Sequence, residues 1–429
     1  MGKKIGVLIF PAGEINSIEL HDALSICVNI RLFGASSVDR HGGFVFKNYI
    51  SDIPSIRESN FLSTLNQIID NNQIDVVIPT HDDVTLFLAE KQEFIRAKIL
   101  TADYETTLIC RDKKMTYETF AGYPFCPVIY NNLEHFPVFI KPRKGQGSVN
   151  ARLLLENTYI PENLDLESYV ICEYLPGQEF TVDCFTDKNG NLQVILPRSR
   201  LRIFGGVSVR GKIEELTQEI ENIAESINEK LNFLGLWYFQ IRQGNDGKFK
   251  LLEISVRCAG TMCLSRTLGI NLPLLSVYAA MGKETEILIN NYSILVDRTL
   301  ISRYQTDLQY HHVYIDLDDT ILVDGKVHLQ IIRFLYQCVN SKKKITLVTR
   351  HKAEHDDTAA DALREHSIMP ELFDEIVELT FDTPKYTVIE PFGAIFIDNS
   401  FAERKIVHEK LGIPVFDIDA IEVLLDWRT

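Results

Sequence analysis

Short runs of β-branched and aliphatic residues alternate with helix-patterned stretches at both ends of this chain. That alternation limits the fold more than any other feature. Lys4–Phe10 and Asp75–Pro79 read as buried strands, and Ser17–Cys27 and Phe61–Asn71 as helices. Such a pattern closes as βαβ units around a parallel sheet. Ligands of parallel sheets gather at the loops that follow the strands, which singles out Pro11–Asn16 and Thr80–Asp83. Thr80-His81-Asp82-Asp83 equally fits a cap on a helix beginning near Val84. After about Tyr304 the alternation returns, with Val313–Leu317, Lys344–Val348 and Ala394–Asp398 as strands.

The middle of the chain differs. From about Lys113 to Asn191, strands at Val138–Lys141, Tyr169–Tyr174, Phe180–Thr186 and Leu192–Leu196 are separated by Gly, Pro and Asn turns. Asp187–Asn191 is a hairpin turn. A helix over Ile213–Leu231 and a hairpin, Trp237–Arg242 with Phe249–Ser255, follow. The expected class is therefore multidomain, α/β at both ends and α+β between. A length of 429 residues predicts two to four domains at roughly 100–200 residues each. Boundaries are expected near 105 and 300, giving segments 1–105, 106–300 (with a lid over about 115–190) and 305–429.

Composition excludes some classes. A net charge of −15 argues against a nucleic-acid or anionic-membrane partner engaged through overall charge. No apolar run reaches the roughly 18 residues of a membrane span. The basic N-terminus resembles a signal peptide, but its apolar run ends at Pro11-Ala12-Gly13-Glu14 without a small-residue cleavage site, so it reads as a first strand. Eight scattered cysteines with no C-x-x-C pair suit reduced thiols and a cytoplasmic location. A homodimer is compatible with all of this.

Several residues carry chemistry. Lys141 ends a strand and runs into Gly145-Gln146-Gly147-Ser148, where glycines let backbone N–H groups approach phosphate oxygens; a plain Gly-containing hairpin turn would look the same. Glu173 and Glu179 flank a strand–turn–strand. Gln240 and Glu253 lie on partner strands of one hairpin, and Glu253, Ser255 and Arg257 share a face by their period-two spacing. Oxygen ligands on neighbouring strands suit Mg²⁺, although an Arg257–Glu253 ion pair on a polar sheet face is the simpler alternative. Arg198, Arg200, Arg202 and Arg210 flank Gly205-Gly206, and at least one of the four is expected to be functional, although each taken singly reads as a solvated surface charge.

Taken in order, Lys113, Lys141 with its glycine loop, Glu173-x-Leu175-x-Gly177-x-Glu179, Gln240 and Glu253-x-Ser255-x-Arg257 resemble the ATP-grasp superfamily. Within it, the branch similar to the carbamoyl-phosphate synthetase large subunit is nearest. The resemblance covers roughly residues 1–300 and implies a Rossmann-like preATP-grasp domain followed by the ATP-grasp domain. It implies ATP and Mg²⁺ as cofactors, with Mn²⁺ able to substitute. Lys113, Lys141, Gly145, Gly147 and Ser148 would contact phosphates. Glu173 and Leu175 would sit at the adenine hinge, and Glu179 at the ribose. Gln240, Glu253 and Ser255 would hold metal, and Arg257 would stabilise the phosphoryl in transfer. Ser255 replaces the usual Asn, which weakens a second metal site. The implied reaction joins a small-molecule carboxylate to an amine through an acyl phosphate.

Val313-Tyr314-Ile315-Asp316-Leu317-Asp318 is an apolar strand that delivers two carboxylates at spacing two, as transfer through an aspartyl phosphate needs. An acidic cation-binding loop or a helix cap would show the same motif. With Thr349, Lys385 and Asp398 at later strand ends, the set resembles the haloacid dehalogenase-like hydrolases over about residues 311–429. That resemblance implies Asp316 as nucleophile, Asp318 as acid/base and Thr349 and Lys385 as phosphate ligands. It adds Asp398 to Asp316 and Asp318 around Mg²⁺, and a phosphorylated small molecule as substrate. The short intervals from Asp316 to Thr349 and from Thr349 to Lys385 leave no room for a helical cap, so the site should be uncapped. Asn399 stands where many members carry an acid. The overall expectation is a bifunctional ligase and phosphatase. Two rivals stay open: carboxyphosphate chemistry on bicarbonate, and a nucleotide-binding protein whose only active part is the hydrolase.

Overall fold

The computed structural model describes residues 3–38, 41–145, 147, 149–156 and 165–428. The chain divides into two compact units, one ending at Leu300 and one covering Ile301–Arg428.

The first unit opens with five parallel strands: β1 (Ile5–Phe10), β2 (Ile30–Ala35), β3 (Tyr49–Ile50), β4 (Val76–Pro79) and β5 (Lys98–Ile99). They lie in the order β3-β2-β1-β4-β5. Every residue of β1 and β4 is buried, as expected of a parallel sheet covered on both faces. Val7 and Ile9 pack with Leu20 and Leu24 of helix Ile15–Leu24. Leu8 and Phe10 pack with Phe61, Leu65 and Ile69 of helix Phe61–Asn72. The order reverses between β1 and β4, so the loops after those two strands border the switch point where such sheets bind ligands.

Four antiparallel strands follow: β6 (Ile129–Tyr130), β7 (Val138–Pro142), β8 (Arg152–Leu154) and β9 (Tyr169–Glu173), in the order β6-β9-β7-β8. Then come β10 (Glu179–Thr186), β11 (Leu192–Ser199), β12 (Arg202–Phe204), β13 (Val207–Lys212), β14 (Gly235–Gln243), β15 (Phe249–Ser255) and β16 (Leu295–Asp297). Strands β11-β10-β14-β15 form one antiparallel sheet and β12-β13-β16 a smaller one.

Two expectations are corrected here. Glu179–Thr186, expected inside the lid, leaves the β6–β9 sheet at the turn around Gly177 and pairs instead with β11 and β14. The helix expected over Ile213–Leu231 is Gln218–Lys230, because Thr217 caps it by accepting from the Ile220 N–H and the residues before Ile213 run as β13.

The second unit is again parallel. Its strands are β17 (His312–Ile315), the short hairpin β18 (Leu322–Val323) and β19 (Lys326–Val327), β20 (Lys344–Thr349), β21 (Glu375–Glu378), β22 (Ala394–Ile397) and β23 (Val415–Phe416). The main sheet runs β21-β20-β17-β22-β23. β17 and β22 are buried throughout, so Asp316, Thr349 and Asp398 emerge at or just past neighbouring strand ends on one edge. Among the described residues no helix is long and apolar enough to cross a membrane.

Candidate active site

Helix Lys113–Thr119 is tied to the strand carrying Lys141 by one acid. The Asp112 carboxylate accepts from the Lys114 N–H at 3.0 Å, capping the helix, and takes the Arg143 guanidinium in two hydrogen bonds of 3.1 and 2.7 Å. The backbone N–H of Lys113 reaches the Arg143 carbonyl at 3.0 Å. Lys113 Nζ thereby sits 3.1 Å from the Gly145 carbonyl and 3.6 Å from Glu253 Oε2.

Across the hairpin, Gln240 and Glu253 are register partners, and the register then slips so that Ile241 opposes Leu251. Leu252 is the extra residue of this bulge, and a bulged residue has no ladder partner for its backbone. Its carbonyl accepts from Lys141 Nζ at 2.9 Å and from Tyr117 Oη at 2.7 Å. The bulge also turns Glu253 toward the same cavity as Lys141. Burial pushes the Lys141 ammonium below its ordinary value, with Lys113 adding to the effect; a polyanion here would reverse it.

Two adjoining cavities meet at Lys113, Gly145, Val149, Arg200, Gln240 and Glu253. The smaller, about 120 Å³, has apolar walls from Phe139, Leu175, Leu251 and the Tyr117 ring, with Lys141, Glu173 and Glu179 also on it. The larger, about 370 Å³, is lined by Gly147, Gly205, Gly206, Ser255 and Arg257 and reaches the switch-point residues Asn16, Thr80 and Asp82. A partly apolar slot adjoining a chamber that carries Lys113, Arg200 and Arg257 has the chemistry to take a purine joined to a polyphosphate.

The four arginines separate by role. Arg198 is buried against Asp183 at 2.7 and 3.0 Å. Arg202 and Arg210 both bind Asp297 at the exposed edge of the small sheet. Arg200 alone lines both cavities, where it binds Glu179, donates to Gln240 Oε1 at 3.0 Å and to the Gly206 carbonyl at 3.1 Å. A Cβ on Gly206 (φ +77°) would lie 2.0 Å from the Gly147 carbonyl, so only glycine lets these two loops meet. Glu179, expected at a ribose, carries Arg200 and, at 3.8 Å, Arg242. Glu173 accepts from the Val128 N–H at 2.8 Å. Ser255 faces Tyr238 across the hairpin. Ser148 lies outside the described residues.

Sequence reasoning placed Asp82 in a candidate ligand loop or helix cap and missed its pairing with Arg257. It lies in the first turn of helix Asp82–Glu90 and binds Arg257 Nε at 2.5 Å. Burial favours its neutral form, yet Arg257 and Arg111 hold its carboxyl below the usual range, and the same pairing outweighs burial to raise Arg257. The partners are 175 residues apart, beyond any local signal.

In the second unit, Lys385 Nζ lies 2.7 Å from both Asp316 Oδ1 and Asp398 Oδ2. Burial pushes Asp316 up to about 7, the Asp398 charge adds to this, and Lys385 only partly offsets it. Two buried acids around one lysine leave negative charge unmatched, which a divalent cation would neutralise. Asp398 is also tethered by the Ser400 N–H at 2.7 Å. Asp318, expected beside Asp316 as a metal ligand, is turned to His351 Nδ1 at 2.8 Å, with the Thr349 hydroxyl at 3.4 Å. Asn399 pairs with Thr320. The two histidines near Asp318 were missed too, although His351-x-x-x-His355 is a visible spacing. All eight cysteines are free.

Residues 165–297 match the family model described as "ATP-grasp in the biosynthetic pathway with Ter operon". That match covers part of the first unit, whose α/β architecture is consistent with the ATP-grasp fold, and solved structures share its fold. The L-amino acid ligase from Bacillus licheniformis superposes with a TM-score of 0.54 at 15% identity, over 65% of this chain and 75% of that one. The biotin carboxylase domain of Hydrogenobacter thermophilus 2-oxoglutarate carboxylase, solved with MgADP, ADP and bicarbonate, gives 0.53 at 16% identity, over 69% and 74%. N5-carboxyaminoimidazole ribonucleotide synthetase from Thermotoga maritima gives 0.51 at 16% identity, over 66% and 77%. No curated protein matches the chain. The family match ends at residue 297 and speaks only to the first unit.

Proposed function

We propose that the first unit uses ATP with Mg²⁺, or Mn²⁺ in its place, to phosphorylate a carboxyl oxygen. The observation that carries this reading is the pairing of Gln240 with Glu253 across the bulged hairpin, with Lys113 3.6 Å from Glu253 and Lys141 in the same cavity. The substrate is a small-molecule carboxylate or bicarbonate. Carboxylases and a carboxyaminoimidazole synthetase among the structural relatives weigh toward bicarbonate and carboxyphosphate, and the amino acid ligase supports capture of an acyl phosphate by an amine.

Lys113 and Lys141 bind phosphate oxygens. Gln240 and Glu253 supply the oxygen donors that suit Mg²⁺, with the Ser255 hydroxyl beside them. Mg²⁺ held by these groups would offset the phosphate charge. Arg257, held rigid by Asp82, faces the chamber where the phosphoryl would pass, and Arg200 joins Gln240 to the Gly205-Gly206 loop. The chain supplies alignment and charge without a covalent nucleophile. ADP release is the test: it should depend on bicarbonate or on one carboxylate from a panel, with amines added in turn, and vanish in Glu253→Ala. Release independent of every acid would reject the reading.

For the second unit we propose phosphoester hydrolysis of the haloacid dehalogenase type. Asp316 attacks phosphorus, the leaving oxygen takes its proton from Asp318, and water then cleaves the aspartyl phosphate to return Asp316 and free phosphate. Thr349 and Lys385 would hold the phosphate, and Asp316 and Asp398 would hold Mg²⁺. Support comes from Lys385 joining Asp316 and Asp398 at one sheet edge. Loss of phosphatase turnover in Asp316→Asn, with ADP release intact in the first unit, tests it.

A further inference from the structure

We propose that Asp318, His351 and His355 form a binding site for a transition-metal dication of the Zn²⁺ class, separate from the carboxylate pair at Asp316 and Asp398. One ligand atom from each of the three residues lies within 4.8 Å of the others. His351 Nδ1 is 2.8 Å from Asp318 Oδ1, and His355 Nε2 is 3.9 Å from the same oxygen. Tetrahedral ligation at about 2.0–2.1 Å separates ligand atoms by roughly 3.4 Å, so each of these two distances needs to change by only about half an ångström.

The local fold explains the convergence. Thr349 ends β20, and its hydroxyl accepts from the His351 N–H at 3.1 Å, starting the short helix His351–Glu354. His355 ends that turn, its N–H donating to the His351 carbonyl at 2.8 Å, and the His351 and His355 rings stack with centroids 4.4 Å apart at 22°. The second ring nitrogen of His351 is held by Asp357 Oδ1 at 3.1 Å. A carboxylate behind a histidine is the usual outer support of a metal-bound imidazole, because it fixes the ring and aims the other nitrogen at the ion. Two imidazoles with one carboxylate select Zn²⁺, Co²⁺ or Ni²⁺ over Mg²⁺, which prefers oxygen and keeps its waters. His355 is half exposed and His351 buried, so the site opens to solvent on one side and leaves a fourth position for water. On the phosphohydrolase reading above, occupancy would also withdraw the Asp318 carboxylate from proton transfer.

The test is titration of the metal-stripped full chain with Zn²⁺ in excess Mg²⁺, followed by visible spectroscopy of the Co²⁺ form. One equivalent bound through nitrogen and oxygen ligands is expected. Affinity should fall by about 100-fold or more in His355→Ala, and by roughly 10–100-fold in Asp357→Asn. Because the His355 side chain is half exposed, its removal reports on ligation rather than folding. Two results would overturn the site: no Zn²⁺ bound in the presence of Mg²⁺, or tight binding unchanged in His355→Ala with the thiolate absorption of a cysteine site. A chain that binds Zn²⁺ at this cluster yet, stripped of Zn²⁺ and supplied with Mg²⁺, hydrolyses no phosphoester would remove the phosphohydrolase reading and leave the metal site standing.

Discussion

The two candidate sites are electrostatic opposites. In the first unit Lys113, Lys141, Arg200 and Arg257 converge on one cleft from four separate stretches of chain, and burial makes the Lys141 charge costly. In the second, two buried carboxylates share one lysine and burial pushes Asp316 toward neutrality. The charge of the first site suits a polyanion and that of the second a cation. They also differ in construction. A parallel sheet delivers its strand ends to one edge as a matter of topology, whereas the first cleft depends on a bulge, a register and two touching glycine loops.

Each unit carries its own set of site residues, so each activity should be silenced alone. Asp316→Asn should lower phosphoester hydrolysis by roughly 10³-fold or more while ADP release stays within about twofold. Glu253→Ala should lower ADP release by about 10²–10³-fold and leave hydrolysis intact. Loss of both activities in either variant would break the comparison. Arg198→Ala removes one partner of a fully buried pair and should destabilise the first unit by about 3–5 kcal/mol in urea unfolding, because Asp183 has no route to solvent.

The sequence revealed these two constructions unevenly. Strands β1 and β4 of the first parallel sheet and β17, β20 and β22 of the second were legible because buried strands read as continuous apolar runs, and Asp316, Thr349 and Asp398 follow from where those runs stop. Strands β2, β3, β5, β21 and β23, shorter or partly exposed, did not stand out. Gln240 and Glu253 were legible because a hairpin pairs residues close in sequence. The division of labour among Arg198, Arg200, Arg202 and Arg210 was not. It depends on β10 and β16 supplying Asp183 and Asp297 as partners. Neither the Leu252 bulge nor the Asp82–Arg257 pair leaves a local pattern, since one is a register slip and the other spans the unit.

Smaller effects sharpen the contrast. The raised Asp316 value means the metal-free folded state holds a proton that the unfolded chain has released between roughly pH 4 and 7. Its contribution to stability is therefore full at low pH and is lost as pH rises through about 7. Urea unfolding of the metal-free second unit should show a loss on the order of 2 kcal/mol between pH 5 and pH 8, reduced by saturating Mg²⁺ and smaller in Asp316→Asn, where Asp398, also raised by burial, still titrates. Tyr117→Phe removes one of the two donors to the Leu252 carbonyl and should cost about 1 kcal/mol, read as a shift in the urea midpoint of the first unit.

Calorimetric titration of the full chain with ATP and Mg²⁺ probes the first cleft directly. The account predicts one nucleotide per chain, bound with Mg²⁺ and weakened at least tenfold in both Lys141→Met and Glu253→Ala. Nucleotide binding that ignores both substitutions, or no binding at all, would contradict it.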